Sequence, residues 1–142
     1  MRFKHFSLVF FLIALNFQLS AQKKTIIINE VLASNSKGYA DGFGEHDDWI
    51  ELYNLTDSSI QLSGMFLTDD PEDPTKHEIG NSEKWTSVAS KEFILLWVDD
   101  DPEQGKRHIS FSLNRKGGYI GLFDRDTVLL DEVYYSVQKR NN

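Results

Sequence analysis

Asp48-Trp49-Ile50-Glu51-Leu52-Tyr53-Asn54 sets Ile50 and Leu52 in alternation with Trp49, Glu51 and Tyr53. Successive side chains of a β-strand point to opposite faces, so this is the pattern of a half-buried strand. Upstream, Ile26-Ile27-Ile28-Asn29-Glu30-Val31-Leu32-Ala33 has the same character, and downstream Ile60 to Thr68 follows a tight-turn sequence, Thr56-Asp57-Ser58-Ser59.

Strands are predicted over 25–33, 48–55, 60–68, 76–79, 92–98, 108–113, 119–123 and 127–135. Gly64 marks a bulge or kink in the third. Glu92 to Val98 is nearly continuous apolar, which predicts burial on both faces. Pro71 and Pro74 lack a ladder donor and keep 69–75 out of any central strand. Asn114-Arg115-Lys116-Gly117-Gly118 has hairpin-turn chemistry. Residues 80–91 carry no clear period, and Trp85 is expected to tuck them against the core. No helical period is sustained anywhere. The fold class is therefore all-β: an immunoglobulin-like β-sandwich of about eight to nine mostly antiparallel strands.

Residues 1–21 stand apart. Arg2 and Lys4 precede an uncharged apolar run from Leu8 to Leu15, and Leu19-Ser20-Ala21 ends in a small residue. This is the layout of a secretory signal peptide, too short in its apolar part for a comfortable span. The organisation expected is a signal peptide over 1–21, a sandwich domain over 25–135 and a polar tail over 136–142. The protein is expected to be secreted, to the periplasm or the cell surface, with no transmembrane span after cleavage. The chain has no cysteine, hence neither a lipoprotein-type anchor residue nor a disulfide, and the apolar core must suffice alone.

The formal net charge is −7, and it becomes −9 once Arg2 and Lys4 leave with the signal. Such an acidic chain is a poor partner for nucleic-acid phosphates and for anionic membranes. No nucleic acid is expected among its partners.

Several short motifs resemble the lamin-tail domain, an immunoglobulin-like module of nuclear lamins and of many secreted bacterial proteins. They are Ile28-Asn29-Glu30, Asp48 to Asn54, Leu62-Ser63-Gly64, Leu67-Thr68-Asp69-Asp70-Pro71 and Leu95-Leu96-Trp97-Val98-Asp99. The second is the most specific, and the resemblance runs from Ile26 to Tyr135. It implies a non-catalytic interaction module. Family members usually continue past the last strand into a Ser-Tyr-Gly-Arg-like segment, which this chain departs from. An uncovered edge on the last strand, open to strand addition or self-association, is the corresponding expectation.

His46, His77 and His108 show no zinc spacing, and no Gly-x-Ser-x-Gly elbow is present. The chain is not expected to be an enzyme. Trp49, Glu51 and Tyr53, on the outer face of the second strand, are the candidate contact surface for a protein, or alternatively for carbohydrate. Cover by Trp85 and the 80–91 loop is the competing expectation. If every strand reverses direction, loops 34–47, 69–75, 99–107 and 124–126 gather most of the acids at one pole. Turns 56–59, 80–91 and 114–117 then occupy the other. No cofactor is required, but the acidic pole supplies low-affinity calcium candidates: Asp41, Glu45, Asp47, Asp69, Asp70, Asp73, Asp99 and Asp101. A solubilising surface or a docking face for a basic protein are the other expectations. Either Asn29 or Glu30 must interrupt an apolar row, and a network with Asn54 is expected. Asn54-Leu55-Thr56 also satisfies the N-glycosylation pattern.

Overall fold

The computed structural model describes residues 23–80 and 84–140. The signal peptide expected over 1–21 lies outside the described residues. Nine strands follow in order: β1 (Ile26–Leu32), β2 (Trp49–Asn54), β3 (Ile60–Gln61), β4 (Phe66–Thr68), β5 (His77–Glu78), β6 (Ser87–Val88), β7 (Phe93–Trp97), β8 (Gly117–Phe123) and β9 (Leu129–Ser136). The only helical turn among the described residues is a 3-10 helix over Pro102–Gln104. Among the described residues no helix is long and apolar enough to cross a membrane.

The strands form three antiparallel sheets with orders β1-β2-β7, β3-β6 and β5-β4-β8-β9. The larger two face each other as a sandwich. Ile26, Ile28, Ile50, Leu52 and Leu96 pack from one side, and Leu67, Ile120 and Leu122 from the other. Each of these is less than a tenth exposed. Burying one such side chain is worth about 1.5–3 kcal/mol, which explains how the chain holds a fold with no cross-link.

Asn29 and Glu30 both face solvent. The β1–β2 register shifts between Ile28 and Glu30. Asn29 is the extra residue of this bulge, so Ile28 and Val31 can both turn toward the core while neither polar residue is buried.

Residues 60–68 are two short strands in different sheets rather than one kinked strand. Gly64, at φ +79°, makes the corner. Its amide donates to Ile79 O at 2.9 Å while Leu62 N donates to Thr86 O. β7 is less enclosed than its composition predicts, because Phe93 is half exposed.

Residues 108–113 do alternate, with Ile109, Phe111 and Leu113 buried. They form no full strand, however. Trp97 and His108 make a parallel bridge, and Asp99 and Ser112 an antiparallel one. The segment runs alongside the end of β7 and crosses to the other sheet, which breaks the expected alternation of direction. Turn 114–117 therefore lies at the pole of loop 34–47: Arg115 O accepts from Gln138 N, while Gln138 Oε1 accepts from Ala33 N. Loop 124–126 goes to the other pole, where Arg125 donates to Ser63 O and Gln61 O. Asp124 and Asp126 leave the acidic pole for that reason.

β9 does not present a bare edge. Asp131 points inward and is buried, its Oδ2 accepting from Ile28 N at 2.8 Å and its Oδ1 binding Lys24. Gln138 closes the far end by also donating to Val31 O at 2.8 Å. An inward charge is a recognised way of blocking edge pairing. The uncovered last strand expected from the sequence is thus closed against β1 by side chains.

Candidate functional site

The expected aromatic contact face on β2 is rearranged. Trp49 is 5% exposed. It lies between Leu32 and Trp97 in the sheet register, and its ring centre is 6.2 Å from that of Tyr39. The cover comes from loop 34–47, not from Trp85. Trp85 is itself 47% exposed. Glu51 is half-buried and accepts from Asn29 Nδ2 at 2.8 Å. Tyr53 is half-buried and stacks on Phe93 at 4.5 Å between centroids. Trp49 is therefore withdrawn from any contact surface, and Phe93, which sequence reasoning missed, joins Tyr53 on it. The signal was available only in part, because the exposure of Phe93 depends on what fails to cover β7.

β7 has one further property. Asn54 N donates to Glu92 O, and Ile94 and Leu96 are register partners of Leu52 and Ile50. In an antiparallel ladder these alternate residues bond inward, so Phe93, Leu95 and Trp97 direct their amides and carbonyls away from β2. Trp97 uses both: Trp97 N donates to Arg107 O and Trp97 O accepts from Ile109 N, each at 2.8 Å. Phe93 and Leu95 have no such backbone partner among the described residues.

The eight calcium candidates separate into two groups. Asp41, Glu45 and Asp47 can bring a carboxylate oxygen each within 4.8 Å of one another. The loop itself explains this convergence: Asp41 Oδ1 accepts from Phe43 N and Glu45 N at 2.9 and 2.7 Å. Asp99 and Asp101 adjoin through Gln104 and His108. Gln104 Nε2 donates to Glu45 and Asp101 at 2.8 and 2.6 Å, and His108 Nδ1 lies 2.6 Å from Asp99 Oδ2. Desolvation, then repulsion from Asp99, Glu45 and Asp41, pushes the Asp47 carboxyl above its usual range. Asp69, Asp70 and Asp73 belong to a separate loop and have local partners. Asp69 pairs with Lys76 at 2.6 Å. Asp70 and Asp73 accept from Glu72 N and Thr75 N in their own turns.

The histidines are structural in their bonding. His46 Nδ1 is 3.3 Å from Tyr39 O. His77 Nδ1 accepts from Ser110 N at 3.0 Å and lies 2.8 Å from Ser110 Oγ. The ring ties β5 to the crossing segment, and burial holds its pKa below the ordinary value. A serine whose own amide occupies the same nitrogen is poorly arranged as an activated nucleophile.

Asn54 is fully buried. Its Nδ2 donates to Ser58, Val88 and Ala89 carbonyls at 2.7, 3.1 and 2.9 Å. Its Oδ1 accepts from Thr56 N and Oγ1. Its network locks turn 56–59 to β6 rather than reaching Asn29, and the glycosylation pattern it begins is inaccessible in the folded chain.

A groove of about 410 Å³ lies beside the end of β7, lined by Phe43, Trp85, Trp97, Gln104, Lys106, Arg107 and neighbours. Phe43 and Trp85 are its exposed aromatic walls. Arg107 Nε donates to Trp85 O at 3.0 Å, and its guanidinium lies 5.5 Å from the Trp85 ring centre.

The family model described as Lamin Tail Domain matches residues 20–136. No curated protein matches the chain.

Proposed function

The chain belongs to the lamin-tail domain family, and from that premise we propose that it is a non-catalytic module that binds another protein after export, in the periplasm or at the cell surface. The observation that carries this reading is the open stretch of β7. Phe93 and Leu95 direct backbone groups outward without a partner among the described residues, and the Tyr53–Phe93 pair flanks them with apolar surface. An extended segment of a partner can add there as a strand, with main-chain bonds giving affinity and the aromatics giving selectivity. Aromatic anchors of this kind dominate binding energy at many interfaces. Support for export comes from the basic, apolar and small-residue succession of the first 21 residues.

The test is site-specific photocrosslinking in cells that export the tagged chain. Benzoylphenylalanine at position 93 is expected to yield a discrete protein adduct. The same probe at Tyr134, which is 72% exposed on β9, is expected to yield none. Leu95→Pro removes the edge donor without touching the β2 ladder, and should abolish the adduct while the melting midpoint changes little. Equal adducts from both positions, or none from either, overturn the reading. Glycan-array hits without any protein adduct favour a carbohydrate module instead.

A further inference from the structure

We propose that the strand added to β7 is the β7 of a second copy of this chain, so that two sandwiches join about a two-fold axis at Ile94; this rests on the reading of β7 as the binding edge.

The free part of the edge is short and closed at both ends. Phe93 and Leu95 each aim one N–H and one C=O away from β2, and none of these groups has a partner among the described residues. Toward the C-terminus, Trp97 N and Trp97 O are taken by Arg107 O and Ile109 N. Toward the N-terminus, Glu92 N turns back to Ala89 O, and Lys91 stands at φ +58°, outside the range of a strand. A visiting strand therefore finds two pairing residues and must leave the edge before it meets residues 107–109. A second β7 does so, because its own chain turns away at Lys91.

One register matches free groups to free groups. A two-fold axis at Phe93 sets Leu95 against Lys91 of the other copy, which is not extended. An axis at Leu95 sets Phe93 against Trp97, whose backbone groups are already used. An axis at Ile94 sets Phe93 against Leu95 of the other copy, and Leu95 against its Phe93. Each of these pairs exchanges both of its N–H···O bonds, so every free group of both edges is satisfied.

Side chains agree with this register. Tyr53 and Phe93 are neighbours on the outer face, and Phe93 is 50% exposed. The pairing lays Leu95 of the second copy beside Phe93 and extends the apolar row, once on each side of the axis. Residues 93–97 contain no charge and no proline, and their pairing with β2 has no bulge. Those are the devices by which native edges refuse another strand. β9 carries such a device in Asp131, so the contact closes as a dimer rather than continuing from edge to edge.

The acidity of the chain does not act at this contact. Glu51 is the register partner of Leu95. It would lie three strand spacings from its counterpart, about 14 Å or more, against a Debye length of about 8 Å at physiological salt. Lys91 Nζ is held within its own chain by Leu55 O and Asp57.

The experiment uses the purified exported protein. Sedimentation equilibrium from micromolar to near-millimolar concentration should show a reversible monomer–dimer equilibrium, weak because the paired edge is short. Leu95→Pro, which removes an outward donor, should weaken the dimer about tenfold or more. The register is read separately. The chain has no cysteine, so introduced thiols report alone. Phe93→Cys protein is mixed with a size-tagged Leu95→Cys protein under mild oxidation. The mixed disulfide should exceed both self-linked forms, since directly paired Cα atoms lie about 5.5 Å apart and diagonal ones about 7–8 Å. Tyr134→Cys sets the collisional background. Sedimentation as a monomer throughout overturns the proposal, as does a dimer that Leu95→Pro leaves unchanged, or self-linked forms in excess of the mixed one. The position-93 benzoylphenylalanine adduct should have twice the mass of the chain. An adduct of another mass from a protein that sediments as a monomer shows the second-copy assignment alone to be wrong. With neither adduct nor dimer, the protein-binding reading falls as well.

Discussion

Single residues decide several features that the strand pattern could not. Asn54 is the clearest. It sits at a position where the alternation of β2 asks for an inward side chain, and its amide donates to three carbonyls, that of buried Val88 among them, and accepts from Thr56 N. Asn54→Ala should cost about 2–4 kcal/mol, read as a lower urea midpoint with an unchanged slope. His77 makes a pH prediction. Its pKa is depressed in the fold by burial, so the unfolded chain takes up the proton first. The stability it contributes is complete above the unfolded value of about 6.5 and is lost as pH falls below it. Melts between pH 7 and 5 should show a steeper decline in wild type than in His77→Asn. Asp47 works in the opposite sense. Its raised pKa means that ionisation disfavours the fold: the penalty is complete above the folded pKa and disappears below about 3.8. Asp47→Asn should therefore raise the melting midpoint at pH 7. Repeating both melts in calcium and in chelator distinguishes a merely repulsive cluster from an ion site, since only the latter makes the wild type calcium-sensitive.

At the scale of elements, turns and bulges set the register that the alternation leaves open. The β1 bulge at Asn29 puts two polar neighbours outside together, which no period-two reading allows. Gly117, at φ +111°, begins β8, and a Cβ there would lie 2.8 Å from the backbone oxygen of Tyr135. Both the conformation and the close approach exclude a side chain. Gly117→Ala should cost about 2–3 kcal/mol, measured by denaturant unfolding, because backbone rather than a flexible side chain must move. The strands themselves were largely legible: β1, β2, β7, β8 and β9 follow the apolar pattern. β6 was not, because a two-residue strand carries too little periodicity, and 60–68 concealed its change of sheet behind one glycine.

For the whole molecule, closure matters more than any one sheet. β1 and β9 meet without a shared ladder, and Asp131 and Gln138 supply the missing bonds. The tail after β9 is thus partly tied down rather than frayed. Deleting residues 137–142 frees Ala33 N and Val31 O and should lower stability by about 1–2 kcal/mol, visible as faster hydrogen exchange in β1. The same closure removes β9 as an interaction edge and leaves β7 as the candidate.

The fold class and the family were decided by sequence, because strand alternation and turn chemistry are local and survive without knowledge of neighbours. Which face is covered, which loops share a pole and which edge stays open were decided only in three dimensions. Residues 108–113 show why: their pattern is that of a strand, but their direction is set by pairing in parallel with Trp97, a contact with no local signature. One such crossing brings turn 114–117 to the pole of loop 34–47 and sends loop 124–126 to the other.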